Sequence, residues 1–199
     1  MLELNNKKNI AILFSGGVES TLLYYLTLKQ SSSKTNITLF IIDRDNNPIE
    51  RAFDLYNKLK ILWNDTRTSL NILLIPEIIP SHKKINNALN ILNQEHDCVI
   101  LGLNKYPSKE SIRPKFKGNT FNNTSILKML NKFENLILPF IDLQKNQIIQ
   151  MYYDYDIKEI LQMTHSCGSP ELKPCKICFN CRERIWAYNK LDKPLELGV

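Results

Sequence analysis

The amino-acid sequence predicts an α/β fold: a parallel five-stranded sheet flanked by helices, followed by a C-terminal metal-binding loop and helix. Three observations lead there. Short apolar runs of strand length alternate with apolar-periodic stretches of helix length, the pattern of a parallel sheet covered on both faces. The first strand-to-helix junction is the tight turn Ser15-Gly16-Gly17. Four of the five cysteines crowd into the short segment from Cys167 to Cys181.

The elements follow in order. Residues 9–14 form an apolar run that reads as a strand, and residues 21–28 repeat apolar side chains at helical spacing. Ser31-Ser32-Ser33 ends that helix. Residues 37–42 form a second buried strand that stops at Asp43. Pro48 suits the first position of a helix to about Trp63, because a proline there sacrifices no helical hydrogen bond. Residues 70–75 are a third strand, stopped by Pro76, and Ser81 can cap a helix through Leu92. Residues 98–103 are a fourth strand, 104–120 a polar loop, 122–133 a helix and 136–138 a short fifth strand. Residues 144–153 are helical, and the last helix covers 182–189 after a cysteine-bearing loop. Ligands of such sheets bind beyond the carboxyl ends of the strands, here Ser15, Asp43, Pro76 and Asn104.

A chain of 199 residues can bury a full core without disulfides. Its first residues lack the apolar run of a secretory signal, and no segment approaches the ~20 apolar residues of a membrane span. We therefore expect a cytoplasmic protein with no membrane partner, whose cysteines are not a disulfide framework. The formal net charge of +6 is scattered rather than gathered into a tail. It fits a solvated basic surface, or a polyanion partner such as ATP itself. A nucleic acid is the less favoured partner, and a homodimer is compatible with the sequence.

The run from Ile10 to Ser20 is the most informative stretch of the first half. Gly16 and Gly17 let backbone approach an anion closely, and the following helix aims its N-terminal amides at it. The hydroxyls of Ser15 and Ser20 can add hydrogen bonds. The Gly-Lys-Ser/Thr ending of a Walker loop is absent, and so is the third glycine of a dinucleotide fingerprint. Ser15, Gly16, Gly17 and Ser20 are therefore candidate anion-binding residues. Cys167, Cys175, Cys178 and Cys181, with two C-x-x-C steps, can close a tetrahedral shell around zinc. An iron–sulfur cluster is the competing reading. Residues 161–199 form the metal-binding segment. Cys98, inside an apolar strand, reads as a small buried hydrophobe.

The Ser-Gly-Gly-Val-Glu-Ser run resembles the SGGxDS signature of the PP-loop ATP pyrophosphatases, with Glu19 in place of aspartate. That resemblance implies a Rossmann-like, adenine nucleotide alpha hydrolase-like fold and cleavage of ATP between its α- and β-phosphates. It also implies that Phe14, Ser15, Gly16, Gly17, Val18, Glu19 and Ser20 bind the nucleotide within a nucleotide-binding domain of residues 1–160, with magnesium at Glu19 and catalytic roles for Ser15, Glu19 and Ser20. Together with the cysteine cluster, the chain resembles the 7-cyano-7-deazaguanine synthase family. Thr164-His165-Ser166-Cys167 resembles that family's approach to its zinc site, and Cys175-Lys176-Ile177-Cys178-Phe179-Asn180-Cys181-Arg182-Glu183-Arg184 its exit. Leu138-Pro139-Phe140-Ile141-Asp142-Leu143-Gln144-Lys145 resembles its Pro-Leu stretch ending in a lysine, which makes Lys145 a catalytic candidate. Leu101-Gly102-Leu103-Asn104 with Tyr106-Pro107, and Arg113-Pro114-Lys115-Phe116, resemble the loop beside the base. Asn104, Tyr106, Pro107 and Arg113 are thereby candidates for the acceptor substrate, and Asp43 and Gly102 for the nucleotide.

The resemblance implies that a deazaguanine-like acid is adenylated by ATP, that ammonia displaces AMP, and that a second ATP takes the amide toward a nitrile. The chain departs from the pattern around the base. Asp43-Arg44-Asp45-Asn46-Asn47 replaces a Tyr-Gly-Gln and basic-histidine stretch, and Asn104-Lys105-Tyr106-Pro107 is shortened. Two other readings stay open: adenylation of another acceptor (a tRNA base, a peptide or a small acid), and a degenerate nucleotide-binding zinc scaffold. His165 reads chiefly as a packing residue that can approach ligand.

Overall fold

A computed structural model describes residues 2–42, 49–76, 78–79, 81–107, 128, 130–169 and 173–195. The expected alternation is present. Strand β1 (Asn9–Leu13) leads to helix α1 (Val18–Gln30), β2 (Asn36–Ile42), α2 (Ile49–Leu62), β3 (Thr68–Leu73), α3 (Ser81–Glu95) and β4 (Cys98–Ile100). Then come β5 (Leu136–Ile137), α4 (Lys145–Asp154), α5 (Glu159–Met163) and α6 (Phe179–Leu191). The five strands are parallel and ordered β3-β2-β1-β4-β5. Among the described residues no helix is long and apolar enough to cross a membrane.

β1 is central, with Ile10 opposite Ile37 of β2 on one side and Cys98 of β4 on the other. Successive strand side chains face opposite ways. Ile10 and Ile12 therefore enter the core with Leu22, Leu23, Tyr24 and Tyr152, while Ala11 and Leu13 enter the opposite core with Leu89, Leu92 and Val99. Cys98 is fully buried, as its apolar surroundings predict, and burial pushes its thiol up to about 11. Tyr152 of α4 donates its hydroxyl to the Val18 carbonyl at 2.6 Å, so α4 is fastened to the first turn of α1.

Several elements differ from the sequence expectation, among them α1, which starts at Val18 rather than 21, and β4, which ends at Ile100 rather than 103. β3 starts and ends two residues early, because its pairing with β2 runs from Ile37–Thr68 to Ile42–Leu73 and leaves Leu74 outside the ladder. Helix α5 stands where the sequence predicts a loop; at five residues it is too short to show periodicity, though Ile160 and Leu161 are buried. Helix α6 begins at Phe179 rather than 182, because Cys178 is its N-cap and its sulfur accepts the Cys181 N–H at 3.5 Å. Most of the expected 122–133 helix lies outside the described residues, as do Asp43 and Arg113.

Candidate functional site

β1 has β2 on one flank and β4 on the other, so the strand order reverses at its carboxyl end. The phosphate-type loop sits there. Gly16 takes φ +71°, and a β-carbon on it would stand 3.2 Å from the Ala52 backbone, so only glycine makes this turn beside α2. Gly17 is the N-cap of α1 without a side-chain cap, which leaves the first amides of α1 facing the loop. The serines brace it: Ser20 Oγ accepts the Ser15 N–H at 3.2 Å and donates to the Gly17 carbonyl at 3.3 Å. Ser15 Oγ accepts the Gly17 N–H at 3.4 Å. Such a loop, with a helix dipole behind it, suits a phosphate.

This loop forms one wall of a cavity of about 510 Å³, a size typical of small-molecule sites. Phe14, Ser15, Gly16, Gly17, Glu19 and Ser20 all line it. Gly102, Asn104, Tyr106 and Lys145 line it from the β4 and α4 side. The Val18 side chain points into the core instead, and Pro107 is buried without lining the cavity.

The β4 and α4 side of the cavity carries a charged cluster. Lys145, the first residue of α4 and only 4% exposed, places its Nζ 2.5 Å from Glu19 Oε1 and 3.0 Å from Glu183 Oε2. Asn104 Nδ2 donates to the other Glu183 oxygen at 2.9 Å. Burial works to lower the Lys145 pKa, but the carboxylates of Glu183 and Glu19 outweigh it and hold the ammonium charged well past its usual range. Burial pushes the Glu183 carboxyl above the usual carboxylate range; Lys145 and Asn104 oppose that shift, and Glu19 adds to it. Burial, with Glu183 beside it, also raises the Tyr106 phenol, whose ring meets Phe179 edge-on at 4.8 Å.

His165 and Arg51 complete the rim. The His165 N–H donates to the Gly16 carbonyl at 2.9 Å, and the Arg51 guanidinium contacts His165 Nε2. His165 is thus a cavity residue seated on the loop as well as a packing one. Arg51, Asn180 and Glu183 also line the cavity, and sequence reasoning missed them. Arg51 lies on a polar helix face, and Glu183 looks like one more charge beside the cysteines, so neither offered a signal.

The four-cysteine cluster borders this cavity through Cys167. The four Sγ atoms lie within 4.8 Å of one another, and those of Cys167 and Cys178 are 3.9 Å apart. A single ion bound at metal–sulfur distances of ~2.3 Å sets thiolates about 3.8 Å apart, so the geometry fits one metal ion. Backbone amides already point at the sulfurs: Ser169 and Cys175 donate to Cys167 Sγ, both at 3.4 Å, and Cys178 donates to Cys175 Sγ at 3.3 Å. The amides of Cys178 and Ile177 lower the Cys175 thiol to about 6, favouring the thiolate a metal needs. Lys176, between two ligands, takes φ +61°, the sharp turn of the C-x-x-C step. Arg184, fully buried one turn into α6, donates to the carbonyls of Leu161 at 2.5 Å and Thr164 at 3.1 Å. It thereby clamps the segment before Cys167 to the helix after Cys181.

Comparison with known proteins agrees with this picture. Residues 103–192 match the family model described as the queuosine biosynthesis protein QueC. A 7-cyano-7-deazaguanine synthase from Prochlorococcus marinus subsp. pastoris is 26% identical over 95% of this chain and 96% of its own length. Another, from Prochlorococcus marinus strain MIT 9312, is 28% identical over 92% of this chain and 94% of its own. Among solved structures, a tRNA thiolase, NcsA from Methanococcus maripaludis, with its 4Fe-4S cluster, shares the fold at TM-score 0.50 and 15% identity. That match covers 95% of this chain and 66% of the thiolase. Residues 103–192 thus match the QueC family model, and nearly the whole chain is similar to proteins described as 7-cyano-7-deazaguanine synthases.

Proposed function

We propose that the chain is an ATP-dependent, AMP-forming C–N ligase that adenylates 7-carboxy-7-deazaguanine, or a closely related carboxylate, and amidates it with ammonia toward 7-cyano-7-deazaguanine. The observation that carries this reading is the meeting, in one cavity, of the Ser15–Ser20 loop, the buried Lys145 and the approach to the cysteine cluster. The full-length similarity to synthases of that name supports the choice of acceptor.

The chemistry assigns each group a task. A carboxylate oxygen of the acid attacks the α-phosphorus of ATP, the α–β bridge breaks, and pyrophosphate leaves. The loop amides and the Ser15 and Ser20 hydroxyls bind its phosphates. Glu19 lines the cavity beside the loop with its side chain 14% exposed. One carboxylate with phosphate oxygens and waters is the usual setting for magnesium, so Glu19 fits as the residue that faces it. Bound there, magnesium would neutralise the departing pyrophosphate. Lys145 supplies a fixed positive charge for the α-phosphate. Ammonia then attacks the acyl carbon, AMP departs, and an amide remains. A second ATP activates the amide oxygen in the same way, and loss of AMP and two protons leaves the nitrile.

Two further assignments follow. The cysteine cluster holds zinc, a structural ion whose four thiolates leave no open position; iron and acid-labile sulfide in the purified protein would overturn that. Asn104 and Tyr106, which line the same cavity, meet the acceptor. Incubation with ATP, magnesium, ammonia and 7-carboxy-7-deazaguanine tests the whole reading. It should release AMP and pyrophosphate with amide or nitrile product. AMP released only with another acid would move the acceptor, and no release under any condition would leave a nucleotide-binding scaffold.

A further inference from the structure

Glu183 belongs to no part of the phosphate-loop motif, yet it is among the most buried charged groups of the described residues, at 1% exposure. Both its oxygens are engaged, Oε1 by Asn104 at 2.9 Å and Oε2 by Lys145 at 3.0 Å. The helix that carries it is pinned on either side. Cys181 lies two residues before it in the metal cluster, and Arg184 follows it with its clamp on Leu161 and Thr164. Glu19 shares the same ammonium but is held differently. Its side chain is 14% exposed, and its Oε2 lies 3.9 Å from where a β-carbon on Gly17 would stand, facing the loop.

The two carboxylates therefore differ: Glu183 is held at both oxygens, whereas Glu19 meets Lys145 through Oε1 while its Oε2 faces the loop. We propose that Glu183 is a positioning residue that anchors Lys145 in the cavity, so that Glu19 can leave the lysine for the metal ion of a bound metal–nucleotide complex. The inference rests on the reading of Glu19 as the metal-facing carboxylate. The physical reason is charge balance in a buried place. While Glu183 holds Lys145, the departure of Glu19 leaves a paired lysine. Without the Glu183 charge, the same departure strands a buried ammonium, which is strongly unfavourable. Glu19 would then stay on the lysine, and metal uptake with nucleotide would weaken.

The test is binding, not turnover, and needs no acceptor. Manganous ion is titrated into the full-length protein with an ATP analogue that cannot be cleaved between its α- and β-phosphates, and free ion is followed by electron paramagnetic resonance. Glu183→Gln keeps the shape and removes the charge. It should raise the manganese concentration for half-saturation roughly tenfold or more. Asn104→Ala frees one oxygen of Glu183 but keeps its charge, and should shift the midpoint in the same direction by less. In a Lys145→Met background no lysine is left to anchor, so adding Glu183→Gln should change the midpoint less than about twofold. A midpoint unchanged in Glu183→Gln, or shifted equally with and without Lys145, overturns the proposal. Should Glu183→Gln fail to fold, an unshifted midpoint in Asn104→Ala overturns it. A wild-type protein that takes up no manganese with nucleotide overturns the ATP reading as well.

Discussion

A β-carbon on Gly102 would fall 2.8 Å from the Cβ of Glu19. The backbone just past β4 thus packs directly on the first turn of α1, and this contact sets where the Glu19 carboxylate can stand. Gly102→Ala must push α1 or the β4 end aside, at a cost of about 1–3 kcal/mol. Because the displaced residue is Glu19, AMP release should fall at least about tenfold, more than the loss of stability explains. Paired turnover and thermal-melting measurements check this. A variant with normal turnover would show that the position of Glu19 is unimportant.

Glu19→Gln keeps the size and removes the charge. Turnover should fall by about two orders of magnitude, while nucleotide affinity changes little, because the charge matters most as pyrophosphate departs. Glu19→Asp draws the carboxylate back from Lys145 by about one methylene and restores the PP-loop residue. It should keep activity or raise it. Single-turnover kinetics on both variants separate these outcomes, and wild-type turnover in Glu19→Gln would remove this carboxylate from the chemistry.

Gly17 has an ordinary backbone conformation, φ −79° and ψ 171°, so any residue can adopt it. A β-carbon there meets Ser15 Oγ at 3.3 Å and the His165 carbonyl at 3.6 Å. Gly17→Val should therefore fold, yet fill the cradle where a phosphate must meet backbone amides. Calorimetric titration with ATP should show binding lost in a protein that melts cooperatively. Unchanged affinity would count against the phosphate loop.

Cys178 has two duties, as a sulfur of the cluster and as the N-cap of α6. Cys178→Ser keeps an N-cap oxygen but breaks the four-thiolate shell. The variant should lose its metal by elemental analysis and much of its soluble yield. It should also lose activity, because α6 carries Glu183 into the cavity. Full zinc content in the variant would show that Cys178 is not a ligand.

Much of this was legible in the sequence, and the parts that were not have physical reasons. The Gly-Gly turn after an apolar strand marked the loop, because few other backbones bring amides to an anion. The cysteine spacing marked the cluster, because a metal shell is a local constraint. The Glu19–Lys145–Glu183 cluster was not legible as a unit: its members come from α1, α4 and α6, and only the parallel sheet brings them together. The same holds for Arg51 and His165, which are 114 residues apart and touch across the rim. Helix α1 starts three residues before its apolar periodicity does, because Val18, Glu19 and Ser20 look like loop composition while their backbone is already helical.

Oxygen transfer from acid to AMP is the most direct measurement of the chemistry. If the carboxylate of 7-carboxy-7-deazaguanine attacks the α-phosphorus, one of its oxygens leaves with AMP. With both carboxylate oxygens labelled as ¹⁸O, mass spectrometry should find one ¹⁸O in each AMP released, from the acid step and from the amide step alike. Label-free AMP, or hydrolysis of ATP to ADP instead of AMP, would contradict adenylation of this acid at the Ser15–Ser20 loop.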